Sequence, residues 1–300
     1  MSQPATPPAR GAPPKDAAAR AGQAAAPATP VPQPPPWYAT LRVDPPAWIG
    51  KLLGLACVAL VLAVWWFVTR GATAADRIIS PSKLPSPGEV WDALAVPPDG
   101  AIVDGIIASL WRVFKGFLWA TLIGVGLGII AGSFRAIAAF FQPLIIFGRS
   151  VPISALIPVT LLFFGIGEKQ KAMFIFFATV PFVFSDTVKA LALVPERYVE
   201  TAQTLGASRF QIITKVLVPL ALPEIVTSLR FLFGLAFGYI ALTETINTTE
   251  GLGFLINIAE RTGKQSVAYL MLFIIAILAF SFDWVLRLVQ RNVFHYRKDL

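Results

Sequence analysis

The chain has 300 residues, 56% of them hydrophobic and only 14% charged, whereas soluble domains carry about 25% charge. With a mean hydropathy of +0.68, an ordinary soluble domain is excluded. The formal net charge of +8 does not point to nucleic acid, because surplus Lys and Arg in a membrane protein mark cytoplasmic loops.

In chain order, residues 1–46 are rich in Pro and Ala ("PATPVPQPPPW"). Such a segment buries too little apolar surface to offset its ordering entropy, so it is expected to be a disordered cytoplasmic tail. The membrane domain is expected over 47–300. Its first span runs from about Trp48 to Val68, too long and too late for a signal peptide. Cys57 lies within it and reads as a buried, inert thiol. With one Cys and one His in the chain, no disulfide framework or multi-Cys/His metal site is possible.

The prolines between Ser80 and Gly100 rule out a spanning helix there. The second span, about Ile106 to Ala131, carries Gly116, Ala120, Gly124, Gly128 and Gly132 at four-residue intervals. This column places two overlapping G-x-x-x-G motifs on one face, where a second helix can approach closely. A third apolar region, Ile137 to Ile166, is interrupted by Arg149, Pro152 and Pro158 and is expected to begin at the interface before turning through the membrane. Further spans follow at about Ala172 to Leu193, Ile225 to Ile246 and Val267 to Val289. About 20 apolar residues cross a bilayer as a helix, so the prediction is an all-α polytopic membrane protein with about six transmembrane helices. With six spans and both termini in the cytoplasm, 16 of the 25 Lys and Arg residues fall inside and 7 outside, as the positive-inside rule requires.

That topology makes residues 194–222 cytoplasmic. Pro195 suits a first helical position, Gly206 a left-handed residue past a helix end, and Ser208 with Gln211 a capping box. Pro219 and Pro223 are expected to end this pair of short helices before the fifth span. Such an amphipathic pair either lies on the lipid surface or docks in a groove of a soluble partner; residue physics alone leaves both open.

The segment resembles the EAA motif of ABC importer permeases, in which E-A-A, three residues, Gly and nine residues precede I-x-L-P. Here Glu200, Thr201, Ala202, Gly206, Val216, Val218 and Pro219 stand at that spacing, with apolar or small replacements at Thr201, Val216 and Val218. "LPSP" at Leu84, "SLWRVFKGF" at Ser109 and "GLGFLI" at Gly251 are similar to the nitrate/sulfonate/taurine/bicarbonate branch. The resemblance implies a type I importer permease core. It also implies that Glu200, Thr201, Ala202, Gly206, Ala207, Arg209 and Pro219 form a coupling helix seated on an ATPase subunit. Implied partners are two copies of that ATP-binding subunit, a second copy of this chain, a periplasmic or surface solute-binding protein and membrane lipid. The implied location is the bacterial inner membrane. The cargo would be a small anion, with a pyrimidine-type vitamin precursor as the alternative; an ion-coupled secondary transporter is the remaining rival.

A Walker A loop needs G-x-x-x-x-G-K-[ST]. The nearest stretch, "RTGKQS" at Arg261, lacks the first Gly and the Ser/Thr, so ATP and Mg are expected on a separate chain, with no cofactor or catalytic residue in this one. Ionisable residues at membrane depth are functional by default. Arg112, Arg149, Glu244 and Asn247 are therefore candidates for the substrate path. Arg112 either snorkels to the interface or lines the outer mouth, and Glu244 is either an outer gate contact or a solvated helix end. Asp283 and Arg287, four apart, are expected to pair.

Overall fold

A computed structural model describes residues 45–71, 73, 76–98, 100–246 and 248–294. The expected tail, apart from residues 45 and 46, lies outside them, as do Asn247 and the last six residues. The chain divides into two compact units, residues 1–60 and 61–300, and the boundary falls inside the first helix, α1 (Ala47–Thr69).

Within the first unit, the Gly50 N–H donates to the Pro46 carbonyl at 3.0 Å and opens the helix. Leu52, Leu55, Val58 and Leu60 are more than half exposed. Apolar side chains exposed all round suit a helix surrounded by lipid. Cys57 is exposed as well, which corrects its expected burial: a helix apolar on every side leaves no inner face to hide it.

The second unit contains the last turns of α1 and ten further helices among the described residues: α2 (Pro87–Asp92), α3 (Ala101–Ser133), α4 (Arg135–Ser150), α5 (Leu156–Phe164), α6 (Glu168–Ala192), α7 (Glu196–Thr204), α8 (Arg209–Ile212), α9 (Val218–Glu244), α10 (Leu252–Arg261) and α11 (Gln265–Val293). No strand occurs among the described residues. Five helices are long and apolar enough to cross a membrane, or six if α4 and α5, bent by 92° at their junction, form one broken span. That bend falls at Val151–Pro152, where proline disfavours helix in the preceding residue. The described residues between Ser80 and Gly100 hold the short α2, started by a Ser86–Glu89 capping box, and a 3-10 turn at Ala93–Ala95 behind it.

Why α3 and α6 lie so close is explained by the small-residue column. A Cβ on Gly116 would stand 2.4 Å from the Ala172 carbonyl, on Gly124 2.7 Å from Val183, on Gly128 2.7 Å from Thr187, and on Gly132 3.0 Å from Leu191. Ala120 is fully buried on the same face. The column therefore lies against α6 from Ala172 to Leu191, and a hydrogen in place of a methyl is what admits that close approach at each glycine. Around this seam, Val113, Phe174, Ile175, Ala236, Phe237 and Met271 are completely buried, with Phe117 edge-on to Phe233 at 5.1 Å.

One expectation is overturned. Pro219 and Pro223 do not end the loop before the membrane: α8, a π-helical turn at Ile213–Leu217 and α9 make one continuous helix from Arg209 to Glu244. Pro219 follows directly on that π-helical turn, where the regular i→i−4 bonding that its missing N–H would break is already interrupted. Thr227 and Gln290 both donate to the Pro223 carbonyl, at 2.9 and 3.0 Å.

Candidate functional site

Two polar sites stand at opposite ends of the long helix. At its start, α7 ends in a Schellman turn: the Gly206 N–H donates to the Gln203 carbonyl at 2.9 Å and the Ala207 N–H to the Ala202 carbonyl at 3.0 Å, with Gly206 at φ +78°. This is the left-handed residue that glycine supplies without strain. Ser208 and Gln211 then form the expected capping box, the Ser208 N–H donating to Gln211 Oε1 at 2.8 Å. Pro195 precedes the first helical residue rather than occupying it.

The turn fixes α7 and α8 at an angle and leaves their outer surface free. Glu200, Thr201, Gly206, Arg209 and Pro219 are exposed, while Ala202 and Ala207 are half-buried beneath them. Leu205 is 82% and Phe210 75% exposed, one on each side of the Gly206 turn in the chain. Large apolar residues so bare beside a rim of polar ones mark a contact surface.

At the far end of the same helix, Glu244 is buried. Arg112 Nη1 donates to Glu244 Oε1 at 2.7 Å and to the Glu250 carbonyl at 2.8 Å. Ser109 Oγ donates to Glu244 and accepts from the Leu252 N–H at 3.0 Å, and the Gly253 N–H donates to Glu244 Oε2 at 3.0 Å. The other edge of Arg112, Nε and Nη2, grips both oxygens of Glu168 at 2.7 and 2.6 Å. Helices α3, α6, α9 and the start of α10 are thereby tied at one point. Backbone must come very near: a Cβ on Gly251 would stand 2.6 Å from the Glu244 carboxyl carbon and 2.7 Å from Arg112 Nη1.

Of the two alternatives for each, snorkelling by Arg112 and solvation of Glu244 are excluded, since both side chains are buried. The reason is mutual: each satisfies the charge that would otherwise pull the other to the surface. Arg149 lies elsewhere, exposed at the end of α4. It donates to Ser185 Oγ at 2.7 Å and lies over the Phe182 ring at 5.1 Å, with no carboxylate in ion-pair range among the described residues. The expected Asp283–Arg287 pair forms at 3.4 Å, but Arg230 of α9 is nearer to Asp283, at 2.9 Å. Sequence reasoning missed Ser109, Glu168, Lys171 and Gln290. The available signal was charge of opposite sign at one membrane depth, Arg112 against Glu168 and Glu244.

Residues 124–295 match the model of the family described as binding-protein-dependent transport system inner membrane component. The chain is 34% identical to the taurine transport system permease protein TauC of Escherichia coli (strain K12), over 80% of this chain and 88% of that protein. It is 30% identical to the bicarbonate transport system permease protein CmpB of Synechococcus elongatus, over 81% and 91%. The fold matches a chain of the inward-facing MetNI methionine ABC transporter with a TM-score of 0.57, at 23% identity, covering 65% of this chain and 97% of that one. From the matched family, the identity to its members and the type I importer fold together, the chain belongs to the binding-protein-dependent inner-membrane components, the permease subunits of ABC importers.

Proposed function

We propose that this permease forms the path of an ATP-driven importer for a small oxyanion, of the sulfonate, bicarbonate, nitrate or organic carboxylate class. Family membership implies an ATPase and a solute-binding protein as partners. The observation that carries the cargo class is the identity to permeases named for taurine and bicarbonate over four-fifths of the chain.

Two copies of the chain would face each other across a two-fold axis, each supplying half of a closed path. Each would dock one ATPase subunit, which holds ATP and Mg, on the exposed α7–α8 surface around Glu200, Thr201, Ala202, Gly206, Ala207, Arg209 and Pro219. Both termini lie in the cytoplasm on the distribution of Lys and Arg. The Arg112–Glu244 end then faces the side from which the binding protein delivers the solute. ATP binding and hydrolysis bias inward- and outward-facing arrangements through different contacts at this loop. Arg112, Arg149, Glu244 and Asn247 are the candidates for contact with the passing anion. The exposed guanidinium of Arg149, held by Ser185 and Phe182 and without a carboxylate in ion-pair range among the described residues, supports its inclusion; Asn247 lies outside the described residues.

The test is uptake by vesicles holding the permease, its ATPase and internal ATP, with the binding protein outside. Radiolabelled taurine, bicarbonate, nitrate and an aromatic carboxylate are offered in turn. ATP-dependent entry of at least one supports the reading. Entry driven by an ion gradient without ATP, or entry of uncharged solutes alone, overturns it.

A further inference from the structure

Around Arg112 the buried charges do not balance. Arg112 and Lys171 are 4% and 3% exposed, two cations out of water, against one fully buried carboxylate, Glu244. The missing negative charge comes from Glu168, whose side chain is 57% exposed. It leans in from water to lay its two oxygens on the Nε/Nη2 edge of Arg112.

Lys171 is less well served. Its one ion pair among the described residues is with Glu168 Oε1 at 3.8 Å, beyond hydrogen-bond reach. A larger or better-placed anion between Arg112 and Lys171 would meet both cations at closer range than the Glu168 carboxylate does. The position is also the N-terminus of the 25-residue α6, where the aligned peptide dipoles favour negative charge.

Glu168 follows a turn that carries two positive-φ glycines. Gly165 and Gly167 before it have φ of +69° and +142°, and a Cβ at either would meet nothing within 4 Å. Exposed Lys115 and Lys169 stand one turn from Arg112 and one residue from Glu168, adding positive potential to the approach.

We propose that the Nε/Nη2 edge of Arg112 and the Lys171 ammonium form an oxyanion site that Glu168 occupies as a built-in substitute, displaced by an arriving monovalent oxyanion. The site rests on the oxyanion reading above and names where that cargo first meets the permease. The planar fork of a guanidinium matches two oxygens of a carboxylate, nitrate, bicarbonate or sulfonate. Exchange with Glu168 conserves the buried charge. A divalent anion would leave one negative charge in excess.

The complete complex, purified in detergent, is titrated with methanesulfonate, nitrate or acetate against chloride at constant ionic strength, following the melting midpoint. Wild type is compared with Glu168→Ala and with Glu168→Ala/Lys171→Met. Removing the built-in competitor should tighten apparent affinity for methanesulfonate on the order of ten-fold or more, and the second substitution should abolish the gain. Equal responses in wild type and Glu168→Ala, or a gain that survives Lys171→Met, overturn the site. So does a response to phosphatidylglycerol in nanodiscs without one to soluble anions, which would make it a lipid site. Should Glu168→Ala fail to fold, amide exchange at residues 165–169 of wild type decides: saturating methanesulfonate should speed it, and unchanged exchange overturns the site. Vesicle uptake of oxyanions by wild type is measured in parallel. Uptake without any titration response removes this site and leaves the function standing.

Discussion

Arg112 and Glu244, 132 residues apart in sequence, meet at 2.7 Å with side chains 4% and 0% exposed. Taking one partner away strands a buried charge, which typically costs about 3–5 kcal/mol. Arg112→Met should therefore lower the melting midpoint of the purified permease sharply. Arg112→Met/Glu244→Met, which removes both charges, should recover more than half of that loss. A double variant no more stable than the single would show that the loss does not come from a stranded buried charge.

Gly206 separates strain from crowding. Its φ is +78°, yet an added Cβ would meet nothing within 4 Å. Any loss on substitution is thus backbone strain, about 1–2 kcal/mol for an ordinary residue in the left-handed region and more for a β-branched one. Gly206→Val should leave permease levels normal while reducing both ATPase recovered in the complex and solute uptake. Gly206→Asn, which tolerates this conformation, should be far milder. Wild-type coupling in Gly206→Val would deny α7–α8 its docking role.

Two neighbouring glycines of α3 should respond in opposite directions. Gly124 faces α6, and a Cβ there stands 2.7 Å from Val183 Cγ1; Gly126 faces open space. Gly124→Leu should destabilise by about 1–3 kcal/mol through overpacking. Gly126→Ala should stabilise by about 0.5–1 kcal/mol, as expected when Ala replaces Gly within a helix. Melting midpoints that shift in the same direction would contradict the packing described.

Outside the spans, the Arg77 guanidinium beside Glu89 holds that carboxyl below its ordinary value of 4.5, at a hydrogen-bond distance of 3.0 Å. A depressed carboxylate contributes stability above its unfolded value and loses it as pH falls through the folded one. Glu89→Gln keeps the capping geometry and removes the charge. Amide exchange in α2 should be faster in Glu89→Gln than in wild type at pH 7, and the difference should vanish well below pH 4.5. A gap that persists in acid would assign the effect to the cap alone.

What the sequence disclosed was local or periodic. The Gly206 turn and the Ser208–Gln211 box are settled by residues two to five apart, and the glycine column by a four-residue repeat. The Arg112 cluster depends on partners 56 and 132 residues away in Glu168 and Glu244. No spacing rule links those positions, so Arg112 and Glu244 could each be noticed without being paired. Glu168 and Lys171 went unnoticed because charges at a helix end ordinarily face water. The prolines at 219 and 223 misled for another reason: proline is a reliable stop only in an isolated helix, and here a π turn and side-chain donors from α11 and from α9 itself accompany them.

The helix from Arg209 to Glu244 contains 36 residues, about 54 Å at 1.5 Å per residue. A hydrocarbon layer is about 30 Å thick, or about 40–45 Å with headgroups, and a tilt of about 20° shortens the rod's reach by only a few ångströms. On the topology proposed above, with Glu244 at the opposite boundary, the Gly206 turn would be held clear of the lipid as on a stilt. Leu205 and Phe210 would then have no bilayer to sink into. Of the two fates open to a half-polar helix pair, resting on lipid or meeting a protein, such a stand-off favours the second, the docking role proposed for this turn.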